Sequence, residues 1–256
     1  MNKLFIISLA ALGLAAQASQ AQEYRTKISG KDQKIVIDMQ GSDVMVEGTD
    51  GNELVIKGDG FEEPSKRAEG LRPIYNSAVD NTKIGLSVTQ QDNVVHIARA
   101  SRKDASYVIR VPRAAAVQFN QTGWGGGDLV VRDVAGDLEV NMKSGDMKLI
   151  NVAGPVVANT VSGDITVRYA PLRPGPSAIS TVSGDVDVTM PTNTKATLKL
   201  RSISGEIYTD FDLNLSKSQE NMRHVGGQVV DGSINGGGTA VSFKTVSGDI
   251  YVRKAK

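Results

Sequence analysis

One short phrase recurs four times in the second half of the chain: Val161-Ser162-Gly163-Asp164, Val182-Ser183-Gly184-Asp185, Ile203-Ser204-Gly205-Glu206 and Val246-Ser247-Gly248-Asp249. The acidic positions lie 21, 21 and 43 residues apart, and the last step is close to twice the first. A fixed period of this size points to a stack of near-identical units, because one unit alone cannot bury its own apolar face. After each Gly-acid pair the residues alternate, as in Ile165-Thr166-Val167-Arg168 and Val186-Asp187-Val188-Thr189. Period-two alternation marks a strand with one buried face. The glycine between two such runs suits a turn that needs positive φ, and the acid beside it can hydrogen-bond its own backbone there.

The period divides further. Asp128, Asp137 and Asp146 follow Gly127, Gly136 and Gly145 at steps of nine, and Asp164 comes eighteen residues after Asp146. Nine residues then make half a coil, so each coil holds two short strands and two corners over about 18 to 21 residues. Coils of this kind stack at the parallel-strand spacing of about 4.8 Å. The expected fold is all-β, a parallel β-solenoid of the β-roll or β-helix kind with Ser-Gly-Asp turns. An antiparallel meander or sandwich competes, but its hairpins have no need of one tetrapeptide at a constant step.

The first half repeats less cleanly. Ile35-Val36-Ile37, Val44-Met45-Val46 and Leu54-Val55-Ile56 recur at steps of nine and ten and read as degenerate coils. Residues 59–83 turn polar, with Glu62-Glu63-Pro64 and Pro73, and read as an insertion. Strands resume over 84–88, 94–98 and 107–111, the last closed by Pro112. The segment 213–227 breaks the repeat again, and Asp231-Gly232-Ser233-Ile234 is expected to supply one missing turn. A single domain over 22–256 follows, degenerate over 22–112 and regular over 113–256.

Lys3 ahead of an apolar run from Leu4 to Ala16, ending in small residues, has the layout of a secretory signal peptide. Thirteen apolar residues fall short of the roughly 20 that a membrane-spanning helix needs. Cleavage after Ala21 leaves Gln22 first, with Ala18 as the other candidate site. Periplasm, cell surface and medium all fit such an exported chain. With no cysteine there is neither a disulfide, a thiolate metal site nor a lipid-modified cysteine. Lys and Arg number 29 against 28 Asp and Glu, so no net charge draws the chain to nucleic acid or anionic lipid.

The recurring Thr-Val-Ser-Gly-Asp units, Val111-Pro112 ahead of them and the export signal resemble DUF4097, a bacterial family of exported β-strand repeat proteins grouped as candidate adhesins. The resemblance runs over 118–253, and more loosely over 34–112. It implies a parallel β-roll or β-helix and brings no catalytic residues; fold alone does not define function.

The remaining chemistry is sparse. Stacking would align Asp164, Asp185 and Glu206, where carboxylates could share a calcium ion. Calcium β-rolls space their glycines and aspartate differently, so Gly127, Asp128, Gly136, Asp137, Gly145, Asp146, Gly163, Asp164, Gly184, Asp185, Gly205, Glu206, Gly248 and Asp249 read as turn residues without metal or cofactor. The two histidines, His96 and His224, have no nucleophile elbow, zinc helix or phosphate loop beside them. Trp124, between Gly123 and Gly125, would stack on a sugar or partner if exposed, and a ring laid over the edge of the core is the plainer expectation. Two functions remain: a noncatalytic module binding a protein or glycan, and a glycan-cleaving enzyme using Asp187, Asp210 and Arg168. Because the C-terminal strand is followed only by Lys254–Lys256, it reads as an uncapped edge, open to end-to-end self-association or guarded by its lysines.

Overall fold

Alternating β-branched residues make short strands, and glycine-bearing corners turn the chain from one sheet to the other. The computed structural model describes residues 22–28, 32–62, 65–71, 74, 78–103, 105–215 and 227–256. The leader with its two cleavage sites, Glu63-Pro64, Pro73 and His224 lie outside the described residues. Among the described residues the only helix is a 3-10 turn at Lys66–Ala68, and no helix is long and apolar enough to cross a membrane.

The N-terminal strands are β1 (Gln22–Lys27), β2 (Lys34–Met39), β3 (Val44–Thr49), β4 (Glu53–Asp59), β5 (Leu86–Gln91), β6 (Val94–Arg99) and β7 (Ser106–Pro112). The middle runs through β8 (Ala116–Gln121), β9 (Leu129–Arg132), β10 (Leu138–Asn141), β11 (Met147–Val152), β12 (Val156–Asn159), β13 (Ile165–Tyr169), β14 (Ser177–Ser180) and β15 (Val186–Met190). The rest are β16 (Ala196–Ser204), β17 (Ile207–Thr209), β18 (Asn214–Leu215), β19 (Gln228–Ile234), β20 (Thr239–Ser247) and β21 (Ile250–Lys254).

These strands form two large, mostly parallel sheets. The ten-stranded sheet has the order β1-β4-β7-β3-β9-β11-β13-β15-β21-β17, and the eleven-stranded sheet β18-β19-β16-β20-β14-β12-β10-β8-β2-β6-β5. From β7 to β17 consecutive strands alternate between the sheets. Inward residues line up across strands. Val46, Val131, Leu149, Val167, Val188 and Val252 form one fully buried row in the ten-stranded sheet. Phe119, Val140, Ala158, Ile179, Phe243 and Leu200 form another in the eleven-stranded sheet. Both rows belong to one continuous core. Each buried Val or Leu contributes about 1.5–3 kcal/mol of apolar transfer, which supplies what a chain without disulfides needs.

Four expectations are corrected. Leu54-Val55-Ile56 is not a parallel coil strand: β4 runs antiparallel to both β7 and β1. Residues 86–91 likewise pair antiparallel with β6. Asp231-Gly232-Ser233-Ile234 supplies no missing turn, because it lies in β19, which runs antiparallel along β16. Nor is the C-terminal strand an edge. β21 is held between β15 and β17, and β20 between β14 and β16, so the last two strands sit inside the stack.

Candidate functional site

Every residue of the Thr-Val-Ser-Gly-Asp unit has a distinct place at the corner that leads from the eleven-stranded to the ten-stranded sheet. The first position is a buried hydroxyl. Thr181, Thr245 and Ser202 each donate to a glycine carbonyl on the adjacent coil, Gly163, Gly184 and Gly248 respectively, at 3.3, 3.0 and 2.9 Å. Thr160 instead donates to the Ser162 carbonyl at 3.3 Å. The serines stack on one another by isolated parallel bridges, Ser144 to Ser162, Ser162 to Ser183 and Ser183 to Ser247.

The glycine is demanded twice over. Gly163, Gly184 and Gly248 have φ of 131°, 141° and 143°, in the region L side chains rarely adopt. A Cβ on Gly184 would also lie 2.2 Å from the carbonyl oxygen of Gly163, and one on Gly248 2.1 Å from that of Gly184. The coils therefore approach through bare backbone. Gly136 is as crowded at the opposite corner, where a Cβ would meet the Ala115 carbonyl oxygen at 2.1 Å. Asp137 sits beside it, and its carbonyl accepts the Val117 N–H, joining that corner to β8.

The aspartates tie each coil to the next rather than closing their own turns. The Oδ1 of Asp43, Asp128, Asp146, Asp164 and Asp185 accepts the backbone N–H of Asp128, Asp146, Asp164, Asp185 and Asp249 in succession, at 2.8–3.0 Å. Asp249 then accepts the N–H of Glu206 at 2.8 Å. Asp164, Asp185 and Glu206 are thus not consecutive, because Asp249 stands between the last two. Neighbouring charges about 4.8 Å apart repel by roughly 0.9 kcal/mol in water, and a charge-assisted N–H bond of about 1.5–3 kcal/mol more than offsets it. Among the described residues no three acidic or histidine side chains are placed to hold a metal ion.

The outer faces are ladders as well. On the eleven-stranded sheet the Asn120 amide donates to Asp38, Asn141 to Asn120 and Asn159 to Asn141, and the Ser180 hydroxyl donates to Asn159, at 2.6–3.4 Å. On the ten-stranded sheet Tyr208 and Tyr251 stack with centroids 5.2 Å apart, and the Arg253 guanidinium lies 4.9 Å from the Tyr251 ring. The Tyr251 hydroxyl donates to Asp249, which raises the phenol pKa above its usual value. Hydrogen bonding to Asp187 strengthens the hold of Arg253 on its proton. The residues considered for glycan cleavage do not converge: Asp187 is bonded to Arg253, Asp210 accepts the Lys254 N–H at 2.8 Å, and Arg168 stands across the strand from Thr189.

His96 is exposed on β6. Trp124 is 70% exposed, so the ring does not cover the core edge; the Lys143 ammonium lies 5.8 Å from its centroid. A hollow of about 390 Å³ opens between Ser42, Asp43, Asp59 and Ser106. Asp43, the first ladder residue, lacks a glycine directly before it and so escapes a search for Gly-acid pairs.

Mostly parallel sheets joined by glycine corners place the chain among β-repeat folds. Residues 126–253 match the family model described as Toastrack DUF4097, and the chain belongs to that family. No curated protein matches it. Three solved structures are similar in outline. A candidate cell adhesion protein of Clostridium sporogenes ATCC 15579 is 11% identical over 92% of this chain and 100% of its own, with a TM-score of 0.45. A candidate adhesin of Bacteroides fragilis NCTC 9343 is 14% identical over 93% and 98%, with a TM-score of 0.38. A candidate lipid-binding protein of Parabacteroides distasonis ATCC 8503 is 12% identical over 93% and 98%, with a TM-score of 0.31.

Proposed function

We propose that the chain is an exported, noncatalytic interaction module of the cell envelope, built as one domain over 22–256 whose middle, from β8 to β15, is a parallel β-solenoid of 18–21-residue coils. The observation that carries this is the regularity of its surface. Polar side chains such as Asp38, Asn120, Asn141 and Asn159 bond to one another along the stack instead of converging on a point. Such a surface offers a partner a broad, periodic patch, whereas glycan hydrolysis needs two carboxylates set against one bond. Asp187 and Asp210 are each held by another group of the chain. Family membership and the leader-like N-terminus support the same reading.

The test is expression of the full chain with its own leader, followed by fractionation and by incubation of the exported protein with a panel of envelope polysaccharides. The expected result is a processed protein outside the cytoplasm that leaves the polysaccharides intact. Cytoplasmic retention would remove the export, and release of new reducing ends would replace the module with an enzyme.

A further inference from the structure

We propose that the glycine corner carries a docking surface for a cationic amphipathic helix of a partner protein. The hydroxyl, serine, glycine and acid of the repeat unit all serve the stacking of coils. The side chain of the remaining residue does not: Val161, Val182, Val246 and Ile203 are 42–48% exposed and line up because the serines that follow them are paired coil to coil. Lys143 occupies the same position one coil earlier, with Trp124 against it. Five of the eleven large hydrophobic residues that are exposed among the described residues, Trp124 included, lie on this one line. Scattered exposed hydrophobes are ordinary, and a line of them marks a contact surface.

Charge complementarity defines the occupant. Three residues past each valine runs the aspartate row, and Asp146, Asp164, Asp185 and Asp249 meet no cationic side chain among the described residues. Acids on the ten-stranded sheet are treated differently: Glu47, Asp50 and Asp187 are paired with Arg110, Arg113 and Arg253. A ligand for the corner therefore needs an apolar stripe beside a basic one. A helix supplies both at a similar pitch, since its turns rise about 5.4 Å against about 4.8 Å per coil, a drift of about 0.6 Å per step that keeps two or three successive turns in register with successive valines. From Trp124 to Ile203 the row spans five coil steps, about 24 Å, or about 16 helical residues. The corner backbone is already bonded between coils, which leaves side chains to do the recognising.

This inference rests on the reading of the chain as an interaction module, and its test is independent of export and of polysaccharide turnover, so either can fail alone. The probe is an 18-residue helical peptide of leucine and lysine, titrated into the leaderless chain by calorimetry and by the fluorescence of Trp124, the one tryptophan. Saturable binding that weakens with salt is expected, and no binding of the same peptide with glutamate for lysine. The triple variant Val161→Thr, Val182→Thr, Val246→Thr keeps the branched shape and should weaken binding at least tenfold. The triple variant Asp146→Asn, Asp164→Asn, Asp185→Asn keeps each Oδ1 acceptor and should weaken binding similarly while flattening the salt dependence. Melting curves establish that both variants are folded. Absence of binding, equal binding of the glutamate peptide, or binding unchanged in both folded variants overturns the proposal.

Discussion

The middle of the molecule and its two ends obey different rules of order. From β8 to β15 the strands of each sheet follow one another in chain order, so every coil rests on the one made just before it. At the ends they do not. β2 and β3 lie between the later β6 and β7 and the still later β8 and β9, while β20 and β21 lie between β14–β15 and the earlier β16–β17. At the C-terminal end the chain skips a coil and returns to fill the space; at the N-terminal end it stacks β6 and β7 on one side of β2 and β3 and then crosses to the other side for β8 and β9. Three of the four outermost parallel strands are then met by antiparallel partners, β4 on β7, β5 on β6 and β19 on β16, while β17 stands at the edge of the ten-stranded sheet among the described residues. An exposed strand edge is a template for pairing with another chain, and an antiparallel strand laid on it ends the run of like parallel coils. The middle shows what the repeat unit does, and the ends show how a repeat is stopped.

The sharpest way to break this contrast is a cross-link. Thr189 lies opposite Arg253 across the β15–β21 pair, whereas stacking in chain order would set it opposite Asp210. The chain has no cysteine of its own. Thr189→Cys with Arg253→Cys should close an intramolecular disulfide on mild oxidation, and Thr189→Cys with Asp210→Cys should not, since Cα atoms more than about 7 Å apart cannot be bridged. Non-reducing electrophoresis with thiol counting reads the result, and the reverse pattern would restore chain order at this end.

Next in size is the glycine effect. Gly184→Ala meets both a φ of 141° and the Gly163 carbonyl, and should cost about 4 kcal/mol or more. Gly60, with φ of 77° and no atom within 4 Å of the place its Cβ would take, should lose only about 1–2 kcal/mol as alanine. Urea unfolding of the two variants decides whether close approach or φ dominates; equal losses would leave φ as the whole cause.

These cases also mark what a sequence can say about such a chain. The all-β class, the mostly parallel sheets and the family follow from the alternation and the recurring Thr-Val-Ser-Gly-Asp unit. The order of coils does not, because Asp185, Glu206 and Asp249 head nearly identical units, and nothing local distinguishes a neighbour in sequence from a neighbour in space. The antiparallel direction of β4 is hidden for a related reason: Leu54, Val55 and Ile56 suit a strand of either sense. Coil-to-coil bonding by aspartate is equally illegible, since the same Gly-Asp pair can close its own turn.

Two buried tyrosines compare end with middle through pH. Burial, foremost, pushes the phenols of Tyr107 in β7 and Tyr169 in β13 up to about 12. Their unfolded value is near 10, so the folded state keeps protons that the unfolded state has released. Stability is therefore complete below about pH 10 and falls as pH rises towards 12, by roughly 2–3 kcal/mol per tyrosine. Urea midpoints between pH 9 and 12 test this, and each Tyr→Phe variant should remove its share of the slope.

A smaller difference is expected at Asp164, where alanine removes the acceptor of the Asp185 N–H and asparagine retains it. Alanine should cost about 1–2 kcal/mol and asparagine a few tenths, because an exposed N–H regains water only in part. Equal losses in thermal melts would shift the weight from the hydrogen bond to the charge.

The smallest contrast comes from the same tyrosines at neutral pH. The Tyr107 hydroxyl donates to the Ile84 carbonyl at 3.0 Å, so Tyr107→Phe strands a buried acceptor and should cost about 1 kcal/mol. The Tyr169 hydroxyl is buried with no hydrogen-bond partner among the described residues, and Tyr169→Phe should be neutral or stabilising by up to about 1 kcal/mol. The opposite signs follow from one rule, that a buried polar group is worth what its partner makes it. A loss at Tyr169 as large as that at Tyr107 would mean that its hydroxyl finds a partner in solution, with Ser177, close by on β14, as the first hydroxyl to examine.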